Sequence, residues 1–276
     1  MICFPNAKIN LGLNIVEKRS DGFHNIETIF YPINWCDALE VIENKDFQQG
    51  EDKIKLSLSG LLVEGNTKDN LITKAYNLLD AAYNLPPIKA HLQKSIPMGA
   101  GLGGGSSDAA FFIKLLNDKF SLNISINKQI NFAKQLGSDC AFFIENKPVY
   151  ASEKGDVFAE TKVDLANYCI VVVYPAAHSN TASAYKGVVA ARPQKNIQTI
   201  IASDIKNWKT DLTNDFEKNI FMQYPELNKI KNNFYTHGAL YASMSGSGST
   251  MYSVFKSDID LKEFNFPTEY LIWKSI

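Results

Sequence analysis

Between Pro97 and Asp108 the sequence reads Pro-Met-Gly-Ala-Gly-Leu-Gly-Gly-Gly-Ser-Ser-Asp, with glycine at five of the seven positions from 99 to 105. Packing alone gives no reason for so many. Without Cβ atoms a backbone can take positive φ and come close to a bound anion. The N–H groups from Gly103 through Gly104, Gly105 and Ser106 to Ser107 can then converge on phosphate oxygens at the start of a following helix, whose dipole favours the same negative charge. The competing reading is a flexible surface loop, but this stretch is flanked by a strand-like segment and a strongly apolar helical one. It is not a Walker A loop, because GxxxxGK[ST] needs a lysine where Ser106 stands. Nor does Gly99-Ala-Gly-Leu-Gly103 make a dinucleotide fingerprint, since its third glycine is misplaced and no acidic residue ends a following strand in the expected way.

The elements around this loop follow from period and punctuation. Ala7 to Val16 and Lys53 to Leu58 alternate apolar and polar residues and read as strands. From Asp69 to Tyr83, the residues Leu71, Ile72, Ala75, Leu78, Leu79 and Ala82 fall at helical spacing, with Asp69 or Thr67 as cap and Pro86-Pro87 as stop. Ile88 to Leu92 is a strand that runs into Pro97 and the glycines, and Ser107 to Phe120 a helix apolar nearly all round, which should be buried. Asn127 to Leu136 is a second short helix ending at Gly137. Tyr168 to Tyr174 reads as a central strand, Asn214 to Lys231 as a helix, and Ala239 to Phe255 as strand, Gly/Ser turn and strand. No repeat or flexible linker appears, so any division near residue 150 separates packed halves.

Of the 276 residues, 45% are apolar and 21% charged, the balance of a globular chain. The 28 Lys and Arg nearly cancel the 29 Asp and Glu, so a net charge of -1 supplies no field for a polyanion and general nucleic-acid binding is disfavoured. Cys3, Cys36, Cys140 and Cys169 are far apart without a CxxC pair, which suggests neither zinc nor a disulfide framework and fits a reducing cytoplasm. The start, Met-Ile-Cys-Phe-Pro, lacks the features of a signal peptide, so the mature chain is expected to begin near Met1. The apolar runs Cys169 to Val173 and Ala109 to Ile113 are much shorter than the roughly 20 residues a membrane span needs.

The loop from Pro97 through Ser107 closely resembles the central motif of the GHMP kinases, the family of galactokinase, homoserine kinase, mevalonate kinase and phosphomevalonate kinase. Two further blocks agree in order and spacing: Ala7-Lys8-Ile9-Asn10-Leu11 near the start and Met244-Ser-Gly-Ser-Gly-Ser-Thr250 near the end. The resemblance implies an α+β, two-lobed GHMP kinase fold, with a left-handed βαβ unit in an N-terminal ATP-binding lobe (1–150), a ferredoxin-like C-terminal lobe (151–276) and the ATP site between them. Within the family, the blocks Pro5 to Leu11, Arg19 to His24, Gly137-Ser-Asp139, Pro175 to Thr181 and Asn214-Asp215 are most similar to those of members whose small-molecule substrate carries a cytidine diphosphate. The tail beyond about Phe255 carries little signal.

Residue roles follow from the same resemblance. Asp139, on its own most simply a turn or helix cap, is implied to be the base that takes the substrate hydroxyl proton. Lys8, otherwise an exposed strand charge, is implied to lie beside it, holding the carboxylate ionised, with Asn10 on the same strand face positioning both. ATP is implied to contact Asn70, Leu71 and Lys94 and the loop residues Pro97, Met98, Gly99, Ala100, Gly101, Leu102, Gly103, Gly104, Gly105, Ser106 and Ser107; Lys94 could equally be a solvated strand end. His24 is implied to read a cytosine edge while Phe23 and Tyr185 stack on the base, although the family pattern more often has Tyr at position 23. Thr181 matches a threonine near the sugar-alcohol end of the substrate.

Ser106 and Ser107 can bind phosphate or Mg2+, or cap the helix. Asp108 is expected to point away from phosphate or to reach the metal through water. No residue here is matched to the glutamate with which mevalonate kinases hold magnesium, and the metal ligands stay unassigned. His91, His178 and His237 receive no role. The expected protein is a cytoplasmic monomer or weak homodimer. The alternatives are a family kinase for mevalonate, homoserine or a sugar, which would not need the block from Asp21 to His24 with Tyr185, and a non-catalytic nucleotide binder, which would not need Lys8, Asn10 and Asp139 together.

Overall fold

The computed structural model describes residues 1–177 and 184–275, so Thr181 and His178 lie outside the described residues. Those residues pack as two compact units. The first takes 1–7, 34–98 and 103–147, and the second 8–33, 99–102 and 148–276. A single cut near residue 150 marks only one of the crossings between them. Two others, at 7/8 and 33/34, fall inside β2 (Asn6–Lys18) and β3 (His24–Cys36), which are 13 residues each, and two more bracket residues 99–102 of the glycine loop. At about 3.3 Å per residue, each strand is long enough to belong to one unit at one end and to the other for the remainder.

The first unit contains a four-stranded sheet in the order β1 (Ile2–Cys3), β4 (Ala38–Glu43), β6 (Ile88–Lys94), β5 (Ile54–Gly60). β5 and β6 pair parallel, with α1 (Leu71–Tyr83) between them in sequence, giving the βαβ unit the family resemblance implies. Period-two burial is clean: Leu39, Val41, Ile88, Ala90 and Leu92 are buried, whereas Glu40 and His91 between them are exposed. α1 starts where its pattern predicts, but its cap is Asn70, whose Oδ1 accepts the Ile72 N–H at 2.9 Å. Thr67 and Asp69, the expected caps, instead form a short 3-10 turn. The helix over Ser107–Phe120 starts three residues earlier, as α2 (Gly104–Lys119), and buries Ala109, Ala110, Phe112, Ile113, Leu115 and Leu116. α3 (Ile126–Leu136) and α4 (Phe142–Glu145) complete this unit's helical layer.

The second unit holds two sheets. One has the order β2, β3, β7 (Val149–Ser152), β8 (Val157–Glu160). The other runs β10 (Tyr241–Met244), β11 (Met251–Phe255), β9 (Cys169–Tyr174), β12 (Leu271–Lys274), all pairs antiparallel, which is the strand order of a ferredoxin-like sheet. β9 is interior, as its apolar run requires. The tail after Phe255, uninformative as sequence, supplies the edge strand β12.

Short helices α5 (Ile197–Ile201) and α6 (Trp208–Asp211) precede the helix expected over Asn214–Lys231, which is two: α7 (Glu217–Gln223) and α8 (Pro225–Thr236). Pro225 lacks an N–H and pushes Tyr224 out of helical space, to φ -129°, so the chain bends there. Behind this sheet, Val171, Val173, Phe216, Leu227, Phe234 and Met251 share one core. Burying a side chain of this size contributes about 1.5–3 kcal/mol. Among the described residues no helix is long and apolar enough to cross a membrane, and all four cysteines are free thiols.

Candidate functional site

The first unit carries a pocket of about 170 Å³ whose wall includes Asn70, Leu71, Lys94, Met98 and Gly105, five residues that motif resemblance assigned to ATP, together with Asp108. The segment from Val63 to Thr67 also lines it and had no sequence signal beyond its loop composition. The pocket lies against the start of α2. Gly103 occupies the N-cap position at φ 70°, a left-handed conformation that a Cβ would strain, and no side chain caps the helix. The first N–H groups of α2 are thereby left for a ligand. The Ser107 N–H is not among them, since it donates to Gly103 O at 2.9 Å. Nor do Ser106 and Ser107 cap the helix. The Ser107 hydroxyl is fully buried without a hydrogen-bond partner in the protein, and Asp108 Oδ1 is likewise unpartnered.

Lys94 is not a solvated strand end. Its side chain is fully buried, and its Nζ donates to Asp37 Oδ2 at 2.5 Å and Asp108 Oδ2 at 2.9 Å. Asp108 does not point away from the pocket: through Oδ2 it is one arm of a buried three-residue charge cluster, while its Oδ1 has no protein partner. Burial pushes its carboxyl up to about 7, against the pull of Lys94 and with a further push from Asp37. Sequence reasoning missed Asp37 altogether, because nothing local marks it.

In the second unit, the loop segment from Gly99 to Leu102 packs on the Met244–Thr250 turn. Gly101 has φ 79°, and a Cβ there would lie 2.0 Å from the carbonyl oxygen of Ser245. Ser245 Oγ donates to Gly101 O at 2.8 Å and accepts the Asn10 N–H at 3.2 Å, so the second and third sequence motifs meet here on β2. Thr250 N–H adds a bond to Ala100 O.

The alternation of β2 suggested one exposed face. Instead every residue from Asn6 to Ile15 is buried, Lys8 and Asn10 included. Lys8 Nζ donates to Asn10 Oδ1 at 2.6 Å and sits 4.8 Å from the centre of the Phe30 ring. Asn10 Nδ2 donates to Thr28 Oγ1 at 3.0 Å, and Tyr252 Oη to Asn10 O at 2.6 Å. Such a buried ammonium is held in one place by its partners, as an electrostatic role in catalysis requires. Asn10 has its side-chain oxygen committed to Lys8, a positioning arrangement.

Asn214 and Asp215 tie the same region together. Asn214 Nδ2 donates to Met244 O and Gly246 O, both at 2.8 Å, and Asp215 Oδ2 accepts the Ile15 N–H at 2.7 Å. Burial raises the Asp215 carboxyl, opposed by the Ile15 N–H and Asn14.

The aromatic block is tied together by ring contacts. His24 stacks on Tyr185, ring centres 4.7 Å apart and 16° from parallel, while Phe216 meets Tyr185 edge-on at 4.8 Å. One face of Tyr185 is therefore covered by His24 itself, because burying ring against ring is favourable where the two elements meet. Phe23 is 60% exposed, with Lys154 Nζ 5.4 Å from its ring centre. The turn beneath is held by Arg19, which bonds Asp21 and Asn25 and pairs with Glu153. The Phe23 N–H, with help from Arg19, holds the exposed Asp21 carboxyl below its usual range.

Asp139, in the first unit, follows Gly137 at the end of α3. A Cys140 N–H to Gly137 O bond at 3.2 Å closes the turn, and Ser138 Oγ donates to Asp139 Oδ1 at 3.4 Å. The N-cap of α4 is Ala141 and no side chain caps it, so helix capping does not account for Asp139. Asp139 and Lys8 belong to different units. Cys140 beside it is buried, which pushes its thiol up to about 11.

Comparison with known proteins shows the family. Residues 70–147 match the GHMP kinases N terminal domain and 196–264 the GHMP kinases C terminal domain. The 4-diphosphocytidyl-2-C-methyl-D-erythritol kinase of Bacteroides thetaiotaomicron is 46% identical over 274 residues, covering 99% of each chain. That of Cytophaga hutchinsonii is 48% identical over 258 residues, 93% of each. A crystal structure of 4-(cytidine 5'-diphospho)-2C-methyl-D-erythritol kinase aligns with TM-score 0.77 at 28% identity, covering 92% of this chain and 90% of that one. The Methanococcus jannaschii mevalonate kinase shares the fold, with TM-score 0.71 at 17% identity over 99% of this chain and 97% of that one.

Proposed function

The chain belongs to the GHMP kinases, and from that premise we propose that it transfers the γ-phosphoryl group of ATP to the 2-hydroxyl of 4-diphosphocytidyl-2-C-methyl-D-erythritol, in the non-mevalonate route to isoprenoid precursors. The observation that carries this reading is near-full-length identity of 43–48% to relatives bearing that kinase's name.

Phosphoryl transfer asks a protein mainly for positioning and electrostatics. The pocket of Asn70, Leu71, Lys94 and Met98 takes the adenosine. The uncapped N-terminus of α2, with the glycine loop from Gly99 to Gly105, takes the phosphates. Asp139 accepts the proton of the attacking hydroxyl, and Lys8, held by Asn10, stabilises charge on the reacting oxygens. Phe23 and His24 hold the cytosine, His24 backed by Tyr185, and Thr181 serves the sugar-alcohol end.

Magnesium, when bound, neutralises charge on the phosphates. The buried, unpartnered Ser107 hydroxyl is an oxygen that fits it, in keeping with a cation that takes few protein ligands. The reading includes a cytoplasmic location and a monomer or weak homodimer.

An ADP-release assay with Mg-ATP tests it against a panel of the cytidyl substrate, mevalonate, homoserine and galactose, with product followed by phosphorus NMR. Turnover of the first alone, with a new phosphomonoester resonance, is the expected result. Turnover of another member alone overturns the substrate assignment, and nucleotide binding without any turnover overturns the kinase reading.

A further inference from the structure

Asp37 is a fully buried carboxylate in the link between β3 and β4 that neither the motifs nor the proposed chemistry uses. Its oxygens are spent on one stretch of chain. Oδ1 accepts the N–H groups of Ser95 at 2.6 Å and Ile96 at 2.9 Å, and Oδ2 accepts Lys94 Nζ at 2.5 Å. Those three consecutive residues lead from β6 into the glycine loop. The same Nζ continues to Asp108 in the first turns of α2. The cluster also lies directly under the loop: a Cβ on Gly104 would come 3.0 Å from Ile96 Cγ2 and 3.1 Å from Lys94 Nζ. Both ends of the nucleotide pocket wall, Lys94 on the strand and Asp108 on the helix, thus refer to one carboxylate.

A buried charge cluster is weak evidence for stability, because apolar residues of similar volume often serve as well, whereas fixing one geometry is a use attested for such clusters in some proteins. We infer that Asp37 is a positioning residue for nucleotide binding, setting the distance between β6 and the first turn of α2 through Lys94. The inference rests on the reading of this pocket as the ATP site. Asp37 does not line the pocket itself. It acts because loop amides and pocket wall must be placed to within a fraction of an ångström, and a misplacement of about 1 Å can cost up to about 100-fold.

Asp37→Asn tests the link selectively. The amide oxygen still accepts from Ser95 and Ile96, and Lys94 keeps Asp108 as its counter-ion, so the cluster changes from two carboxylates on one ammonium to a neutral pair. Only the bond from Lys94 to Asp37 is replaced by opposed donors. Calorimetric titration with MgADP should show the dissociation constant of the folded variant raised about tenfold or more, while KM for the acceptor stays as in the parent protein. A matched control is Tyr76→Phe, which removes the hydrogen bond to Pro86 O in the same unit; it should lower Tm without moving the MgADP constant.

An unchanged MgADP constant in Asp37→Asn, with or without a lower Tm, overturns the inference. Absence of MgADP binding to the parent protein overturns instead the reading on which it rests. Should the variant not fold, amide exchange in the parent protein decides: by reciprocity MgADP should slow exchange at Ser95 and Ile96 more than at Gln129 on α3, and equal slowing overturns the inference.

Discussion

The residues proposed for the phosphate donor and those proposed for the acceptor's base are built in opposite ways. On the donor side, in the first unit, the pocket wall rests on charges withdrawn from water: Lys94 is fully buried between Asp37 and Asp108. On the base side, in the second unit, Phe23 is 60% exposed, Lys154 lies over it from a surface turn, and only His24 is braced, by Tyr185. The contrast teaches where precision is invested. A triphosphate has to be held in line for transfer, which calls for groups that cannot move. A base needs a surface on which to stack, and rings tolerate some freedom.

Substitutions can break or sharpen the contrast. The largest effect is expected at Asp139, proposed for the chemistry and for neither binding surface: Asp139→Asn should keep MgADP affinity and lose about 10²- to 10⁴-fold in kcat, as single-turnover phosphoryl transfer would report. Near-normal turnover would remove it as the base.

Next in size is the stacking surface. Phe23→Ala should raise KM for the cytidyl substrate about tenfold, on the scale of one lost base–aromatic stack, with KM for ATP unmoved; equal changes in both would dissolve the distinction drawn here. Lys154→Ala should act in the same direction by only about threefold, the size of an exposed cation–π contact, and should have no effect once Phe23 is already alanine. A double-mutant cycle on KM reads this out.

A further prediction concerns pH and reads stability instead of binding. Because the Asp108 carboxyl is raised from 3.8 to about 7 in the folded protein, folding favours its protonated form. The associated stability is fully present below about pH 4 and is lost as pH rises to about 7. Urea midpoints across that window should fall less steeply with rising pH for Asp108→Asn than for the parent protein; parallel curves would mean that Asp108 is ionised throughout.

Much of this molecule was legible in its residues. The glycine loop announced a helix N-terminus prepared for an anion, and α2 does begin there, three residues before its apolar pattern suggests, because glycines carry no hydrophobic signal. The strands β2, β5, β6 and β9 and the helices α1 and α3 were read to within a few residues, since periodicity is a local property. The single helix expected over 214–231 is two in the fold because of Pro225, a breaker that the sequence itself carries.

Other features had no local trace. Lys8 reads as an exposed charge and Lys94 as a strand end, yet both are buried. Asp37 gives no sign of its importance, since its partner is 57 positions away. That His24 would cover one face of Tyr185 had no local sign either.

By itself, then, the sequence determined the elements, the three motifs and the chemistry those motifs can carry, because each depends on residues close together along the chain. The tertiary structure alone decided which charges leave water, which partners they find there and which rings stay open. Burial and pairing depend on segments that come together only when the chain folds, and the cost of an unpaired buried charge leaves few arrangements that satisfy them all.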